Sequence, residues 1–330
     1  MSNDVHQQMV NLVFGYTVSQ ALRAFAELAI ADQLAEGPCT AGEVAQRAGT
    51  APDATFRLLR AGTGIGVVIM DADKRFHRTP LLDTLRKDVP GSLRSFALSM
   101  TNRSHWLPVG QFVAAIRDGE AQAENALGLP IFEYLQQNPE LAEEFTGAME
   151  DLTALWAAEV PRQLDTSGVN LAVDVGGRDG ALLRLLQQAN PELRGIVFDR
   201  PDVAAAAKAD VEGERLEVVG GDFFKALPTA DLYLLKFILH DWDDASCVEI
   251  LSRCREAMSP GGRVAVVDSV IEEGGNPGVM ALMDLLMLSV AGGRERSLDE
   301  FDALFAKAGL RRTAVRTTDS PQTIIEAVAA

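Results

Sequence analysis

Cysteine and histidine are both scarce: three cysteines and four histidines in 330 residues. Cys39, Cys247 and Cys254 contain no Cys-x-x-Cys pair, which speaks against a zinc ribbon, an iron–sulfur run or a disulfide scaffold. Buried thiols in a reducing cytoplasm are the expectation. No apolar run is long enough to cross a bilayer, and no basic stretch followed by an apolar one opens the chain, so neither a membrane anchor nor a signal peptide is expected. Positive charge is short as well. The formal net charge is −17, and residues 1–100 carry as many acids as bases, so the excess acid lies beyond them. Such a chain suits neither duplex nucleic acid nor an anionic membrane. Short repeats and low-complexity tracts are absent. What remains is ordinary for a globular protein, 47% hydrophobic and 23% charged, with length for two or three domains.

Three regions differ in pattern. Residues 1–98 read as helices with one small hairpin. Leu22 to Leu34 has helical apolar spacing and stops at Gly37-Pro38. Thr40-Ala-Gly-Glu43 is a capping box for a short helix through Ala48, and a third helix runs from Asp53 to Ala61. Val67 to His77 reads as two short strands around Asp-Ala-Asp. Helix, helix, helix, β-wing is a winged-helix order. Residues 99–165 are helical, punctuated by proline, and rich in aromatics and methionine. Residues 166–330 alternate strand and helix. Strands are expected near 171–175, 194–199, 215–219, 231–236 and 263–268, and 311–317 and 322–328 form a terminal antiparallel pair. The fold class is therefore α/β: a mostly parallel seven-stranded, Rossmann-like core behind a mainly α winged-helix domain.

The stretch Leu171-Ala-Val-Asp-Val-Gly-Gly-Arg-Asp-Gly180 is a strand running into a glycine turn, with an amphipathic helix straight after. Gly176 and Gly177 allow a sharp turn and close approach of a ligand, and the following helix offers unpaired N–H groups. Asp174 disfavours a pyrophosphate but suits a ligand bearing an amine, as S-adenosylmethionine does. Asp199 ends the second strand, nineteen residues after Gly180, where an acid accepts ribose hydroxyls. Asp222 and Phe223, after Gly220-Gly221, suit an adenine edge and face. His240 follows the carboxyl end of the fourth strand, where open α/β sheets bind ligands. Nearby Asp241, Asp243 and Asp244 read as caps of the next helix rather than as metal ligands.

Five motifs in order give the chain its resemblance: Asp-Val-Gly-Gly-x-x-Gly at 174–180, Phe-Asp-Arg-Pro at 198–201, Gly-Asp-Phe-Phe at 221–224, Lys-Phe-Ile-Leu-His-Asp-Trp at 236–242 and Gly-Gly-Arg-Glu-Arg at 292–296. Over nearly its whole length it resembles class I S-adenosylmethionine-dependent O-methyltransferases of the caffeate and hydroxyindole type, in their bacterial small-molecule branch. The resemblance implies a cofactor site of Asp174, Gly176, Gly177, Asp199, Arg200, Gly221, Asp222, Phe223 and Lys236. It implies His240 as general base, with Asp268 and Glu295 flanking it. It also implies homodimerisation through the N-terminal domain. Two departures stand out. Asp268 replaces a longer glutamate common in the plant enzymes, and Arg178 replaces a glycine often found in the loop.

The reaction so implied is methyl transfer from a sulfonium to an aromatic oxygen, with S-adenosylhomocysteine as product and no metal. A phenol titrates near 10 and an ordinary histidine near 6.5, so His240 would take the proton as the new bond forms. The acceptor pocket is expected to be apolar. Trp106, Phe145, Met149, Met280, Met283 and Met287 are its wall candidates, Asp241 and Asp284 its polar groups, and His105 a further contact. Two other readings compete. One is a cofactor-bound hydroxylase or decarboxylase of aromatic polyketides on the same fold. The other is a winged-helix DNA-binding regulator using Arg57, Arg60, Lys74, Arg75 and Arg78.

Overall fold

The computed structural model describes residues 2–330 except 88, 212, 214, 273 and 275–277. The chain forms two compact units, residues 1–106 with 140–152, and residues 107–139 with 153–330. The helical stretch 99–165 is thus shared between the two.

In the first unit, β1 (Cys39–Thr40), β2 (Val68–Met70) and β3 (Arg75–Arg78) make a small antiparallel sheet in the order β1-β3-β2. The helices Ala41–Ala48 and Pro52–Gly64 precede its hairpin, as the winged-helix order requires. Thr40 caps the first of them: its hydroxyl accepts from the Glu43 amide, and the Glu43 carboxylate accepts from the Thr40 amide. Phe25, Ile30, Leu34, Val44, Leu59, Phe76 and Leu82 fill the core. The expected helix over Leu22 to Leu34 is in fact two, Gly15–Glu27 and Ile30–Gln33, broken where Ala29 takes φ 50°. Apolar residues keep their spacing across the break, so periodicity alone did not reveal it.

The second unit holds a seven-stranded sheet. Its strands are β4 (Leu171–Val175), β5 (Arg194–Asp199), β6 (Leu216–Gly220), β7 (Ala230–Lys236), β8 (Met258–Ser269), β9 (Leu310–Thr317) and β10 (Gln322–Ala329). The order is β6-β5-β4-β7-β8-β10-β9. β4 to β8 are parallel, and β10 pairs antiparallel with both β8 and β9. Both faces are covered, which explains the near-continuous apolar runs of the central strands. Val173, Tyr233, Val266 and Ile325 face one layer of core, while Ala172, Leu234, Val267 and Ile324 face the other. β8 starts at Met258, several residues before its expected start, and carries Ser259-Pro-Gly-Gly262 within it. Parallel strands put their carboxyl ends on one edge, so Val175, Asp199, Gly220, Lys236 and Ser269 end together. Among the described residues, no helix is long and apolar enough to cross a membrane.

Candidate active site

The loop after β4 is held from below. The amides of Gly176 and Gly177 both donate to the Phe198 carbonyl on β5, at 2.7 and 3.3 Å. Gly176 sits at φ 70°, and a Cβ there would overlap Ile238 Cδ1. Arg178 adopts φ 50° although it has a side chain, a conformation that disfavours L-residues. Its amide donates to Asp199 Oδ2 at 3.0 Å. The other oxygen, Oδ1, takes the Arg200 amide at 2.7 Å. Burial raises the Asp199 carboxyl above its ordinary range, and the neighbouring Arg178 opposes that. With one amide on each oxygen, the carboxylate is fixed in place and still has acceptor capacity to spare. The helix Ala181–Ala189 behind the loop starts at Gly180 without a side-chain cap, which suits an anionic or polar ligand group.

The remaining predicted cofactor residues gather at the same edge, with different surroundings. Asp174 does not stand open at the turn. It is buried beneath Gly177, and burial pushes it up to about 7 while Lys236 opposes the shift. Lys236 also lies over the Phe237 ring, 4.7 Å from its centre. Asp222 accepts from the Phe224 amide at 3.0 Å and pairs with exposed Lys225. Phe223 packs edge-on against Phe224 and Trp242, and Trp242 stacks on Phe132. Arg200 pairs with Asp202 and donates to the Phe132 carbonyl.

His240 lies in a single 3-10 turn, Leu239–Asp241, that leaves β7. It is buried, with its ring stacked on Phe237 at 5.1 Å and 13°. Nδ1 is 2.9 Å from Glu295 Oε1 and 3.6 Å from Asp268 Oδ1. On the other side, Nε2 is 3.7 Å from Asp241 Oδ1, beyond a good hydrogen bond. The Nδ1–H therefore belongs to Glu295, which leaves Nε2 as the ring nitrogen available to a ligand. Asp268 Oδ2 and Glu295 Oε2 are buried without a hydrogen-bond partner among the described residues. Burial alone would lower the imidazole's basicity, but Asp268, Asp241 and Glu295 outweigh it and raise His240 to about 10. This corrects the ordinary value assumed from sequence. Burial also lifts Asp268 to about 7 and Asp241 to about 6, both opposed by His240. The ligand atoms of His240, Asp268 and Glu295 lie within 4.8 Å of one another. At 2.9 Å, Nδ1 and Oε1 are at the distance of a hydrogen bond. Asp243 caps the helix Asp244–Ala257 through the Ser246 amide, and Asp244 pairs with Arg296. Asp243 is thus the cap expected from sequence, whereas Asp244 opens the helix and pairs with Arg296, and Asp241 faces His240 rather than capping.

The expected wall residues divide. Met280 and Met287 are buried, and Met280 Sδ accepts from the Ser269 hydroxyl at 3.0 Å; Met283 is half-buried. Asp284 Oδ1 takes the Glu295 amide at 2.8 Å, so it anchors that acid's backbone. Trp106, Phe145 and Met149 belong to the first unit. There the Phe145 ring lies 5.9 Å from His105, whose imidazole is pushed down to about 4 by burial, with the Ser99 carbonyl opposing. Sequence reasoning gave no role to Phe237, which holds φ 53° beneath His240, nor to Arg296. Arg296 is 1% exposed and donates to the Leu239 and Trp242 carbonyls. Its only signal in sequence was its place in Gly-Gly-Arg-Glu-Arg.

Comparison with known proteins shows the family of the chain. Residues 110–311 match the O-methyltransferase domain and residues 10–88 the O-methyltransferase dimerisation domain. A phenazine O-methyltransferase of Lysobacter antibioticus is 36% identical over 325 residues, covering 97% of this chain and 95% of its own. A 3-amino-4-hydroxybenzoate 4-O-methyltransferase of Streptomyces cremeus is 35% identical, over 94% and 87%. The crystal structure of human N-acetylserotonin methyltransferase in complex with S-adenosylmethionine superposes with a TM-score of 0.92 at 29% identity, covering 99% of this chain and 98% of that one.

Proposed function

This chain belongs to the O-methyltransferase family, and on that premise we propose that it moves a methyl group from S-adenosylmethionine to a ring hydroxyl of a small aromatic acceptor, without a metal. The observation that carries the proposal is the convergence of Asp241, Asp268 and Glu295 on one imidazole beside a glycine loop. S-adenosylmethionine, when bound, supplies an electrophilic methyl carbon that needs no further activation. The chain's own residues bind, orient and hold protons. Asp199, immobilised by two amides, takes the ribose hydroxyls. Asp222 and Phe223 take the adenine edge and face. Gly176, Gly177 and Gly221 bring backbone close, and Arg200 braces the loop beside Asp199. The Asp174–Lys236 pair forms the charged floor under the loop. Asp241, Met280, Met283, Asp284 and Met287 are the residues of this unit offered to the acceptor.

His240 holds the proton of the acceptor. A base raised to about 10 matches a phenol, which titrates near 10, so sharing a proton between them is close to thermoneutral. The cost is that most of the enzyme rests as imidazolium at neutral pH. The reactive state has one proton between Nε2 and the acceptor oxygen, so the imidazolium and the phenol together must shed one proton as pH rises. Turnover at low acceptor concentration therefore climbs with pH toward about 10. Glu295 keeps the ring oriented, and Asp268 stabilises the charge that forms.

The working form is a homodimer joined through the N-terminal domain, supported by the matched dimerisation domain. Exposed Met9, Leu12, Val13, Phe14 and Tyr16 on the first two helices support it too. The three cysteines are free and buried, in keeping with work in the cytoplasm. The test is a panel of hydroxylated aromatics with methyl-labelled S-adenosylmethionine. The expected result is label on oxygen for one acceptor class, and a loss on the order of 10² to 10⁴ in His240→Ala. A hydroxylated or decarboxylated product without label, or full turnover in the variant, would refute the proposal.

A further inference from the structure

We infer that Arg296 is a positioning residue for the transfer, a guanidinium that fixes the His240 turn where its ring meets Glu295. The inference rests on His240 acting as the base. The turn has little support of its own, since the amides of Asp241 and Trp242 reach back only to Ile238 and Leu239, at 3.1 and 3.3 Å. Its anchoring comes from residues 293–296, with weaker contacts from Cys247 Sγ to the Leu239 and Trp242 carbonyls at 3.2 and 3.6 Å. Arg296 Nη1 donates to the Leu239 carbonyl and Nη2 to the Trp242 carbonyl, each at 2.8 Å. The Arg294 amide donates to the His240 carbonyl at 2.9 Å. Nε and Nη2 close on Asp244 at the start of the next helix, at 3.1 and 2.9 Å. Gly293 lets the segment come this near, because a Cβ there would overlap the His240 carbonyl oxygen.

The same short segment carries Glu295, whose amide is tied to Asp284. The backbone of the base and the acid on its Nδ1 are therefore set by one piece of chain. A buried guanidinium is tolerated only when its N–H groups are paired. Arg296 directs them to the carbonyls on either side of the base and to Asp244. A lysine has all its donors on one atom and does not span those acceptors. The charged groups facing the imidazole are Asp241 in its own turn, Asp268 on β8 and Glu295, with Phe237 beneath; Arg178 and Lys236 act on Asp241.

The experiment is a pH titration of full-length protein labelled with 15N-histidine, comparing the parent, Arg296→Lys and Gly293→Ala. His240 is assigned by its loss in His240→Ala. Loosening the Nδ1–Glu295 bond should lower the His240 midpoint by about one to two pH units in both variants. Calorimetry with S-adenosylhomocysteine should keep the donor affinity within roughly threefold of the parent. A parental His240 midpoint in both variants would overturn the inference. So would a midpoint shift matched by an equal collapse of S-adenosylhomocysteine binding, which means general loosening. If Arg296→Lys does not fold, Arg296→Gln takes its place in the titration, since its one amide cannot donate to both carbonyls and Asp244, and a parental His240 midpoint in it overturns the inference. Failure of the base assignment shows separately, as full turnover in His240→Ala whatever the titrations give.

Discussion

Replacing Asp268 by asparagine removes a charge from the imidazole while nearly preserving shape. Asp268 Oδ1 is 3.6 Å from His240 Nδ1, and its charge is one of the influences that raise the ring. At an effective dielectric of about 20, a charge pair at that distance is worth about 4.6 kcal/mol, or roughly three pH units. The sign is fixed by charge: losing an anion disfavours the imidazolium, so the midpoint falls from about 10 toward neutrality. The assay is the 15N-histidine titration, eased by there being only four histidines. Of these, His105 titrates far away, near about 4. The enzyme's limb in the pH–rate profile should move down in step, while the limb belonging to the acceptor stays. A His240 midpoint left at the parent's value would refute the electrostatic reasoning, because Asp268 would then be no source of the ring's basicity.

Asp199→Ala should weaken S-adenosylhomocysteine binding by about tenfold or more, one or two hydrogen bonds to a charged acceptor, with melting little changed; equal affinity by calorimetry would remove the ribose role. Gly176→Ala places a Cβ against Ile238 at φ 70° and should cost about 1–3 kcal/mol in chemical denaturation, with donor affinity falling alongside. Phe25→Ala empties a fully buried position in the first unit and should cost about 3–5 kcal/mol, read as a lower midpoint in urea.

Much of this architecture was legible in the sequence, for identifiable reasons. Strands buried on both faces read as apolar runs, and their carboxyl ends fall where Gly176, Asp199 and His240 were expected. The antiparallel pair of β9 and β10 was visible because no helix separates them. What sequence did not carry is what depends on three-dimensional meeting. Asp241 adjoins His240 in the chain, but Asp268 and Glu295 are distant from it, so the basicity that the three jointly give the ring depends on their meeting in the fold. Asp284 looked like a pocket residue, but its distance to the Glu295 amide makes it an anchor. Asp174 looked like an open acid and lies under the loop instead. Arg178 was recognised as a departure from glycine, yet only the backbone shows that it takes a left-handed conformation.

The pairing of β10 with β8 has a bearing on how the enzyme comes to exist. Asp268 stands opposite Thr323 in that ladder. While the ribosome still holds residues 322–329, β8 is the outermost strand, with unbonded amides and carbonyls along it. An open edge of this kind invites pairing with other chains, and contacts between distant segments form slowly. Docking of β10 on β8 ends that exposure.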